Sequence, residues 1–377
     1  MRSFITISGL TILLALTGCI TEFYPETDET QSLLVVQALL TDQPEINTVK
    51  LSRSHSLELK EKSKPLEGCR VIINDNNENH CELEETEPGI YVTDPDFFRG
   101  VAGRKYTLRI YEMDAGEVVR SYESIPMEMK PVPPIDTLWY EKVVISVNDL
   151  YGTPNEGCRV YLRTIDPEGL CRYFRWDFTE TWVFRIPYDV DNYQCWITSR
   201  STSINVKNTS VLTDNIIMKQ PVNFISNETD RLTLKYSMLV NQFSLTEDEF
   251  SYWERLQNVS EEIGSLYDVI PASVSGNIRC LEDPDEKVLG YFSVSARRSK
   301  RIFINDSFGG QPYYYGGCIE RTIPREPPPP GFNQTLWEVT YDRYTQGENM
   351  DITSKKGCVD CTVRGSTIKP DFWDEDL

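Results

Sequence analysis

Two cysteines near the C-terminal end have the spacing best suited to chemistry. Cys358 and Cys361 are separated by two residues, and such a pair can hold a metal, exchange electrons with another thiol or close a loop. A zinc site would need a second such pair or a nearby histidine, and His55 and His80 lie far away in the sequence. A thioredoxin-type redox pair opens a helix, but the residues after Cys361 resist a helix. The sequence therefore favours disulfides that tie the tail to the body, with Cys318 as the expected partner; metal and redox sites are the alternatives.

The other cysteines favour an exported protein braced by disulfides. Ten cysteines are many for a reducing compartment. Cys69 and Cys81 flank one turn-like segment and Cys158 and Cys171 flank another, so each pair could bridge a hairpin and contribute about 3 kcal/mol through loop closure. Cys19 has a different expected role, described below, and without it the number of cysteines is odd. At least one thiol is therefore expected to be free or bonded to another chain.

Common catalytic motifs are absent from the sequence. It contains no dinucleotide-binding glycine motif, no P-loop, no His-Glu-x-x-His and no Gly-x-Ser-x-Gly. A Ser-His-Asp or Cys-His arrangement would have to use His55 or His80, which are both expected on the surface. The segment 75–79, Asp-Asn-Asn-Glu-Asn, alternates oxygen ligands as a calcium loop does but lacks its glycine and final glutamate, so a solvated turn is expected. We therefore predict no catalytic residue, metal ligand or cofactor, although an acid pair for glycoside hydrolysis could come from any of the 58 acidic residues.

Two short stretches have the composition of a binding surface. Tyr313, Tyr314 and Tyr315 precede two glycines, and flat rings beside a pliable backbone suit stacking on sugars or peptides. Packing between strands is the simpler interpretation of these tyrosines. The run 297–301, Arg-Arg-Ser-Lys-Arg, is basic within an acidic protein; we expect a solvated hairpin turn there, with binding of an anionic partner as the alternative.

The N-terminal residues predict export and lipid attachment. Residues 1–18 combine a charged start with an apolar stretch too short to cross a bilayer, as a signal peptide does. Leu-Thr-Gly-Cys at 16–19 looks like the bacterial lipobox, in which Cys19 would be acylated after cleavage; an ordinary signal peptide with an incidental cysteine is the alternative. Residues 19–32 are acidic and lack an apolar period, which predicts a flexible stalk. Such an acidic cluster resembles the signal for the outer face of the outer membrane, and a solvated spacer is the other interpretation.

The composition favours a β-rich secreted protein with two domains. The 377 residues carry a net charge of −20, which opposes binding to nucleic-acid phosphates. Aromatic residues make up 11%, and valine, isoleucine and threonine recur in short runs, as is typical of strands. Beyond the signal peptide, no stretch approaches the roughly twenty apolar residues of a spanning helix. The mature chain is therefore expected to be a soluble body on a lipid tether, without a nucleic-acid partner.

Turn signals and hydrophobic periodicity divide the body into two parts. Short β-prone runs over 33–125 predict an immunoglobulin- or prealbumin-like sandwich. Four prolines in 126–135 predict an extended, semi-rigid linker. Residues 136–377 are again rich in β-prone runs, and a capping box followed by apolar residues at helical spacing predicts one amphipathic helix at about 246–263. The predicted fold class is thus mainly β, with a sandwich followed by a larger β-rich domain.

Several stretches together resemble one known family. The lipobox, "LLVVQALLTDQ", "PVPPIDTLWYE", "YFRWDFTETW" and "GCVDCTVRGSTIKPDFW" are similar to the outer-membrane lipoproteins catalogued as domain of unknown function 4249, over nearly the whole mature chain. The family has no assigned reaction, so the resemblance supplies no catalytic residue. It implies a setting similar to that of accessory lipoproteins of TonB-dependent transporters in nutrient uptake.

These observations lead to one functional expectation. We expect a non-enzymatic outer-membrane lipoprotein that faces the cell exterior and serves as an accessory or ligand-binding subunit of a TonB-dependent nutrient-uptake system. Its expected partners are the outer membrane, through the lipid on Cys19, and a TonB-dependent barrel. An envelope hydrolase acting on glycan or peptide and a structural or assembly lipoprotein are the alternatives.

Overall fold

The computed structural model describes residues 32–54, 63–145, 155–186, 191–212, 214–263, 274–306, 308, 321–324, 337–341, 350–355, 357 and 360–373. Cys19, the acidic stalk up to residue 31, Tyr313–Tyr315, Cys318 and Cys358 lie outside the described residues. The described part is mainly β and contains one long α-helix, which confirms the predicted fold class. None of the helices in this part is long and apolar enough to cross a membrane.

The strands and the helix have the following bounds. In chain order the strands are β1 (Leu34–Thr41), β2 (Thr48–Arg53), β3 (Lys64–Pro65), β4 (Arg70–Asp75), β5 (His80–Glu82), β6 (Glu84–Glu87), β7 (Ile90–Val92), β8 (Lys105–Asp114), β9 (Glu117–Ser124), β10 (Met127–Glu128), β11 (Ile135–Ile145), β12 (Asn155–Ile165), β13 (Tyr173–Arg185), β14 (Gln194–Arg200), β15 (Asn205–Asn208), β16 (Ile216–Ser226), β17 (Tyr236–Leu245), β18 (Ile278–Cys280), β19 (Val288–Ser295), β20 (Arg297–Ile304), β21 (Arg321–Pro324), β22 (Trp337–Tyr341) and β23 (Met350–Lys355). The helix α1 is Glu247–Ile263, and short 3-10 turns occupy Asp230–Leu232 and Cys361–Val363.

Two six-stranded sheets form a sandwich-like N-terminal body. The first sheet has the order β19-β1-β2-β7-β6 with β3 beside β2, and the second has the order β18-β9-β8-β4-β5 with β10 beside β8. Apolar residues alternate along the strands, so that Leu34, Val36 and Leu40 of β1 are all completely buried on one face. Each such side chain stabilises the fold by about 1.5–3 kcal/mol. Arg53 of the first sheet donates to the Tyr122 hydroxyl of the second at 3.5 Å and so connects the two.

Two strands from far along the chain complete this N-terminal body. β19 pairs in parallel with β1 over the full length of both strands, and β18 pairs antiparallel with β9. Gly290 permits the close parallel approach, because its φ is +91° and a Cβ there would lie 1.9 Å from the Val36 carbonyl oxygen. The predicted domain 33–125 therefore omitted two of its strands. Local composition carries no signal for pairing between strands so distant in sequence.

Three further sheets make up the second half of the described structure. Their orders are β11-β12-β16, then β14-β13-β17-β20 with β15 beside β13, and β21-β23-β22. The long central strand β13 buries Trp176 on one face, together with the phenylalanines two residues to either side. The opposite face of the same strand carries Tyr173, Arg175 and Asp177, which are only partly buried. This outer face of β13 forms part of the cleft described below.

The proline-rich segment 126–135 is packed against both halves of the protein. Its strand β10 pairs with β8 of the N-terminal body. The Pro133 carbonyl accepts a hydrogen bond of 2.8 Å from Gln242 Nε2, and Gln242 is fully buried. Gln242 Oε1 in turn accepts from Thr164 Oγ1 and Trp176 Nε1, both at 2.8 Å. The predicted semi-rigid linker is therefore a fixed part of the body, joined to two sheets through one buried amide.

The helix α1 begins with part of the predicted capping box. Thr246 Oγ1 accepts a hydrogen bond of 3.3 Å from the backbone N–H of Glu249, as an N-cap residue does. The Glu249 side chain turns inward instead of bonding back to Thr246. The bounds of the helix confirm the prediction of about 246–263.

The same helix packs between the two halves. Tyr252 lies on Tyr291 of β19, with ring centroids 4.5 Å apart. Phe250 lies on Tyr173 of β13, with ring centroids 5.2 Å apart. The helix therefore contacts the outer face of the first sheet on one side and the outer face of β13 on the other.

A disulfide ties the C-terminal tail to the body, but its partner differs from the predicted one. Cys361 is bonded to Cys195 of β14, across a sequence separation of 166 residues, and not to Cys318. The tail lies beside β14, where Trp196 and Ser366 exchange backbone hydrogen bonds of 2.8 and 2.9 Å. Because the tail packs on β14, Cys361 lies next to Cys195. The spacing of cysteines in the sequence does not reveal this contact.

The two predicted hairpin disulfides are not formed. Cys69, Cys81, Cys158 and Cys171 are all free thiols. Cys81 stands opposite Ile73 in the register of β4 and β5, which places Cys69 four positions, or about 13 Å, away along the strand. Cys158 lies near the start of β12, whereas the Cys171 backbone N–H donates to the Asp166 carboxylate just beyond the end of β12. Register therefore keeps both pairs apart.

Candidate functional site: a cleft beside the helix

A cleft runs alongside α1, between the outer face of the first sheet and the outer face of β13. Its volume is about 490 Å³, which lies in the range of small-molecule sites. The cleft is lined by Val36, Gln37, Ala38, Leu39, Thr48, Lys50, Arg175, Asp177, Thr202, Ile204, Tyr252, Trp253, Leu256, Tyr291 and Ser293. An apolar cleft between structural units, with a few polar groups among its walls, is the usual form of a ligand site.

The outer face of the first sheet forms the floor of the cleft. Gln37 and Leu39 of β1 stand opposite Lys50 and Thr48 of β2, and because side chains alternate along a strand all four share one face. Tyr291 occupies the matching position on β19, opposite Gln37, and there α1 covers the sheet. The helix thus leaves the face of β1 and β2 open as a floor.

Arg175 is fixed in the wall of the cleft by two aromatic rings. It stands opposite Phe243 in the pairing of β13 with β17, and its guanidinium carbon lies 4.4 Å from the Phe243 ring centroid and 4.7 Å from that of Trp253. Only 13% of its side chain is exposed, and its buried Nε has no hydrogen-bond partner among the described residues. A buried donor left without a partner costs about 1–3 kcal/mol.

Asp177 is the one carboxylate among the residues that line the cleft. Its Oδ1 accepts a hydrogen bond of 2.7 Å from Asn241 Nδ2, and its Oδ2 lies 3.7 Å from Arg175 Nη1, too far for a hydrogen bond. Asp177 therefore lowers the local positive charge without occupying the donors of Arg175.

Glu249 lies behind the wall of the cleft and is completely buried. Its Oε1 accepts a hydrogen bond of 3.3 Å from Trp253 Nε1, and the Ser293 side chain and the Val294 backbone N–H also face the carboxylate. Burial raises the pKa of Glu249 to about 7, although Ser293, Arg175 and Trp253 favour the ionised form. This carboxyl group therefore titrates near neutral pH and orients the ring that stacks on Arg175.

The two tyrosines of the cleft stay protonated at neutral pH. Burial raises the pKa of Tyr252 to about 12, and burial likewise raises the pKa of Tyr291. Both side chains are therefore neutral in the wall of the cleft, and the Tyr291 hydroxyl donates to Met127 Sδ at 3.9 Å.

The cleft carries the kinds of groups that bind ligands. Among the described residues, its lining includes one carboxylate, one guanidinium and one ammonium group, together with hydroxyl and amide side chains. Within the described residues, no group of three or more histidine, cysteine or acidic side chains is placed to hold a metal ion. The cleft can enclose an apolar body and hold an anionic group at Arg175.

A second depression, near the β1–β2 connection, is less suited to a ligand. It has a volume of about 510 Å³ and is lined partly by Asp42, Arg99 and Arg298, but it is open to solvent. Arg298 Nη1 lies 2.7 Å from Asp42 Oδ2, so these charged groups satisfy each other. Arg297 pairs with Glu45 in the same way, at 2.6 Å. The basic run, predicted to be a solvated hairpin turn, is instead the start of strand β20, and its first two arginines join the halves of the protein.

The structure brings together few of the residues singled out in the sequence. The candidate contacts Tyr313, Tyr314 and Tyr315 and the lipidation residue Cys19 lie outside the described residues. The segment 75–79 is a turn, as expected, in which Asp75 Oδ1 accepts backbone hydrogen bonds at 2.8 and 2.9 Å from within the segment. The sequence offered no direct signal for the cleft itself.

Arg175 could have been found from one local pattern. The stretch "YFRWDFTETW" places Arg175 and Asp177 between aromatic residues, with the charges on one face of the strand and the large rings on the other. Two neighbouring charged side chains on one face of an otherwise aromatic strand indicate that this face lines a polar site where another element packs against the strand. The contribution of Trp253 and Lys50 depends on tertiary packing and could not be foreseen.

Comparison with known proteins places the chain in a family but adds no activity. No curated protein matches the sequence. A solved structure titled "Biofilm associated protein - BSP domain" aligns with 75% of this chain at 6% identity and a TM-score of 0.13, and the chain spans 61% of that protein's length. Its similarity is too low to support a shared fold. The family described as "Domain of unknown function (DUF4249)" matches residues 20–301, most of the chain, and the protein therefore belongs to this family.

Proposed function

We propose that this protein is a lipid-anchored, non-enzymatic binding subunit that captures a ligand in the cleft beside α1 and serves a TonB-dependent nutrient-uptake system at the cell exterior. The observation that carries the binding part is Arg175, a largely buried guanidinium in the wall of an apolar cleft that packs against two rings and has an unpartnered Nε. Buried side-chain donors in native proteins are usually hydrogen-bonded.

The sequence supports the location and the partner in this proposal. Leu-Thr-Gly-Cys at 16–19 supports acylation of Cys19, and the acidic segment behind it supports a position on the outer face of the outer membrane. The lack of an acid pair or nucleophile among the residues lining the cleft favours binding over hydrolysis. The resemblance described above supports a transporter as partner.

Filling the cleft provides the test of binding. The mature protein is screened for thermal stabilisation against a panel of fatty acids, aromatic metabolites, oligosaccharides and short peptides. We expect at least one compound to raise the Tm of the wild type and of Val118→Trp, which adds the same ring at a position 52% exposed on β9. Leu39→Trp, which places a ring on the floor of the cleft, should abolish that rise. Equal stabilisation of the Leu39→Trp variant would show that the ligand binds elsewhere.

Two cellular experiments test the anchor and the partner. Metabolic labelling with a clickable fatty acid should mark the wild type and not Cys19→Ala; label on the alanine variant would contradict acylation at Cys19. Crosslinking in cells followed by a mild-detergent pull-down should recover a TonB-dependent barrel in stoichiometric amount. Elution of the protein alone would remove the transporter from the proposal, and turnover of a glycan or peptide would favour a hydrolase.

A further inference from the structure

We propose that the cleft selects small organic acids, with the ligand carboxylate held by the guanidinium of Arg175 and an apolar body enclosed by the walls. This inference rests on the proposed function, because it specifies the class of ligand that the same cleft takes.

The first support is the geometry of Arg175. The Phe243 and Trp253 rings, with centroids 4.4 and 4.7 Å from the guanidinium carbon, pack against the guanidinium and restrict its position before a ligand arrives. The guanidinium presents its N–H donors in one plane. The described residues accept no hydrogen bond from this guanidinium within normal distance, and the nearest carboxylate oxygen, on Asp177, is 3.7 Å away. A planar fork with free donors matches a carboxylate in the bidentate manner.

The second support is the local charge. Arg175 and Lys50 contribute two positive charges to the cleft and Asp177 contributes one negative charge. Below pH 7, where Glu249 behind the wall still holds its proton, the surplus is therefore a single positive charge within a chain whose net charge is −20. One surplus charge suits a monoanion, whereas a phosphate dianion would leave negative charge uncompensated beside Asp177. Lys50 is exposed on the floor and makes no ion pair with a described residue, so it can add to the attraction.

The third support is the composition of the remaining walls. Apolar or aromatic side chains from four separate elements surround the cleft, including Leu39, Ile204, Tyr252 and Leu256. The volume of about 490 Å³ suits a molecule of small metabolite size. An apolar body with one acidic end fits these walls.

The test compares ligands that differ only at the acidic end. Binding of decanoate, decanol and decyl phosphate to the mature protein is measured by isothermal titration calorimetry. We expect decanoate to bind the wild type about 10- to 100-fold more tightly than decanol, as a charge-assisted pair to a largely buried guanidinium predicts. Equal affinity for decanol would overturn the proposal, and so would tighter binding of decyl phosphate. These comparisons use the wild type and do not depend on any variant folding.

Matched variants assign the selectivity to one residue. Arg175→Gln should reduce the affinity for decanoate at least tenfold and change that for decanol less than twofold. Arg159→Gln provides the control, because Arg159 also stacks on a ring, that of Phe224 at 5.5 Å, but does not line the cleft. Arg175→Lys keeps the charge without the fork and should lose most of the preference for decanoate. A preference that survives in Arg175→Gln would overturn the role of Arg175.

Further comparisons distinguish small acids from peptide C termini as the ligand, and separate failure of this inference from failure of the proposed function. A tetrapeptide of apolar residues with a free C terminus is compared with its amidated form; if the free peptide binds more tightly than decanoate, peptide ends and not small acids are the ligand class. If another compound of the thermal-stability panel binds in the cleft and no carboxylate does, this inference fails and the proposed function stands. If nothing in either experiment binds in the cleft, both fail.

Discussion

The buried carboxyl group of Glu249 predicts an unusual dependence of stability on pH. Most acidic side chains in folded proteins have a lowered pKa, but burial raises that of Glu249 from 4.5 to about 7. The groups that face it are Arg175 of β13, Tyr252 and Trp253 of α1, and from β19 the side chains of Ser293 and Tyr291 and the backbone N–H of Val294. Among these, Arg175 alone carries a charge at neutral pH, and it does not offset the loss of water.

The sign of the effect follows from where the proton is bound. Between pH 4.5 and 7 the unfolded chain has released the proton from Glu249 while the folded protein still holds it. The free energy of unfolding that this group provides is therefore fully present below pH 4.5 and is lost as the pH rises to about 7. At about 1.4 kcal/mol per pKa unit, the shift corresponds to about 3 kcal/mol in total.

The perturbation is Glu249→Gln, which keeps the shape and an acceptor for Trp253 Nε1 but removes the titration. Urea denaturation at pH 4.5, 5.5, 6.5 and 8 measures the free energy of unfolding. Relative to this variant, the wild type should lose about 3 kcal/mol between the lowest and the highest pH. Glu254→Gln on the exposed side of α1 is the control and should follow the wild type. A difference between wild type and Glu249→Gln that is constant with pH would refute the reasoning.

Three further predictions follow from the fold. The double substitution Cys195→Ala with Cys361→Ala should lower the free energy of unfolding by as much as about 5 kcal/mol, because the disulfide closes a loop of 166 residues. Peptide mapping of the wild type without reductant should recover the linked pair. A peptide joining Cys361 to another cysteine would contradict this pairing. Gly290→Ala should lower the free energy of unfolding, measured by urea denaturation, by at least about 3 kcal/mol, because its Cβ would meet a carbonyl oxygen of β1. Gly116→Ala, at a similar φ of +90° but with open space around it, should lower it by only about 1 kcal/mol. Equal losses would contradict the close approach of β19 to β1. A fragment of residues 32–131 should not unfold cooperatively, because it lacks β18 and β19. Fusing those two strands to the fragment should restore a cooperative transition. A cooperative transition without them would show that the N-terminal body folds independently of the rest of the chain.

Local patterns in the sequence predicted the elements well. The fold class and the bounds of α1 were both read from hydrophobic periodicity and capping residues, which act over a few neighbouring positions. The turn at 75–79 was equally local, since Asp75 bonds to the backbone two and four residues later. Such features depend on interactions that a short window of sequence contains.

The pairing of distant elements could not be read in the same way. All eight residues of β19 are buried, so the strand lacks the alternation that would indicate which face meets which sheet. Its parallel pairing with β1 depends on Gly290, and a glycine in a strand indicates a close approach without naming the partner. The Cys195–Cys361 bond likewise depends on where the tail docks and not on cysteine spacing.

The candidate site was the hardest feature to predict because it belongs to no single element. Arg175 comes from β13, Trp253 from α1, and Lys50 and Leu39 from the first sheet. Apart from Arg175, which lies between aromatic residues in its strand, these residues carry no local signal within their own segments. The cleft exists because the helix between the two halves leaves one part of a sheet face uncovered, which is a consequence of tertiary packing.

Hydrogen–deuterium exchange with a bound ligand tests the central claim, ligand capture in the cleft, most directly. The mature protein is measured with and without a compound that raises its Tm. We expect slower exchange in β1, which forms the floor of the cleft, and in the part of α1 from Tyr252 to Leu256, which forms one wall, with unchanged exchange in β9. Protection confined to other strands, with no change in β1 and α1, would contradict the claim that this cleft is the binding site.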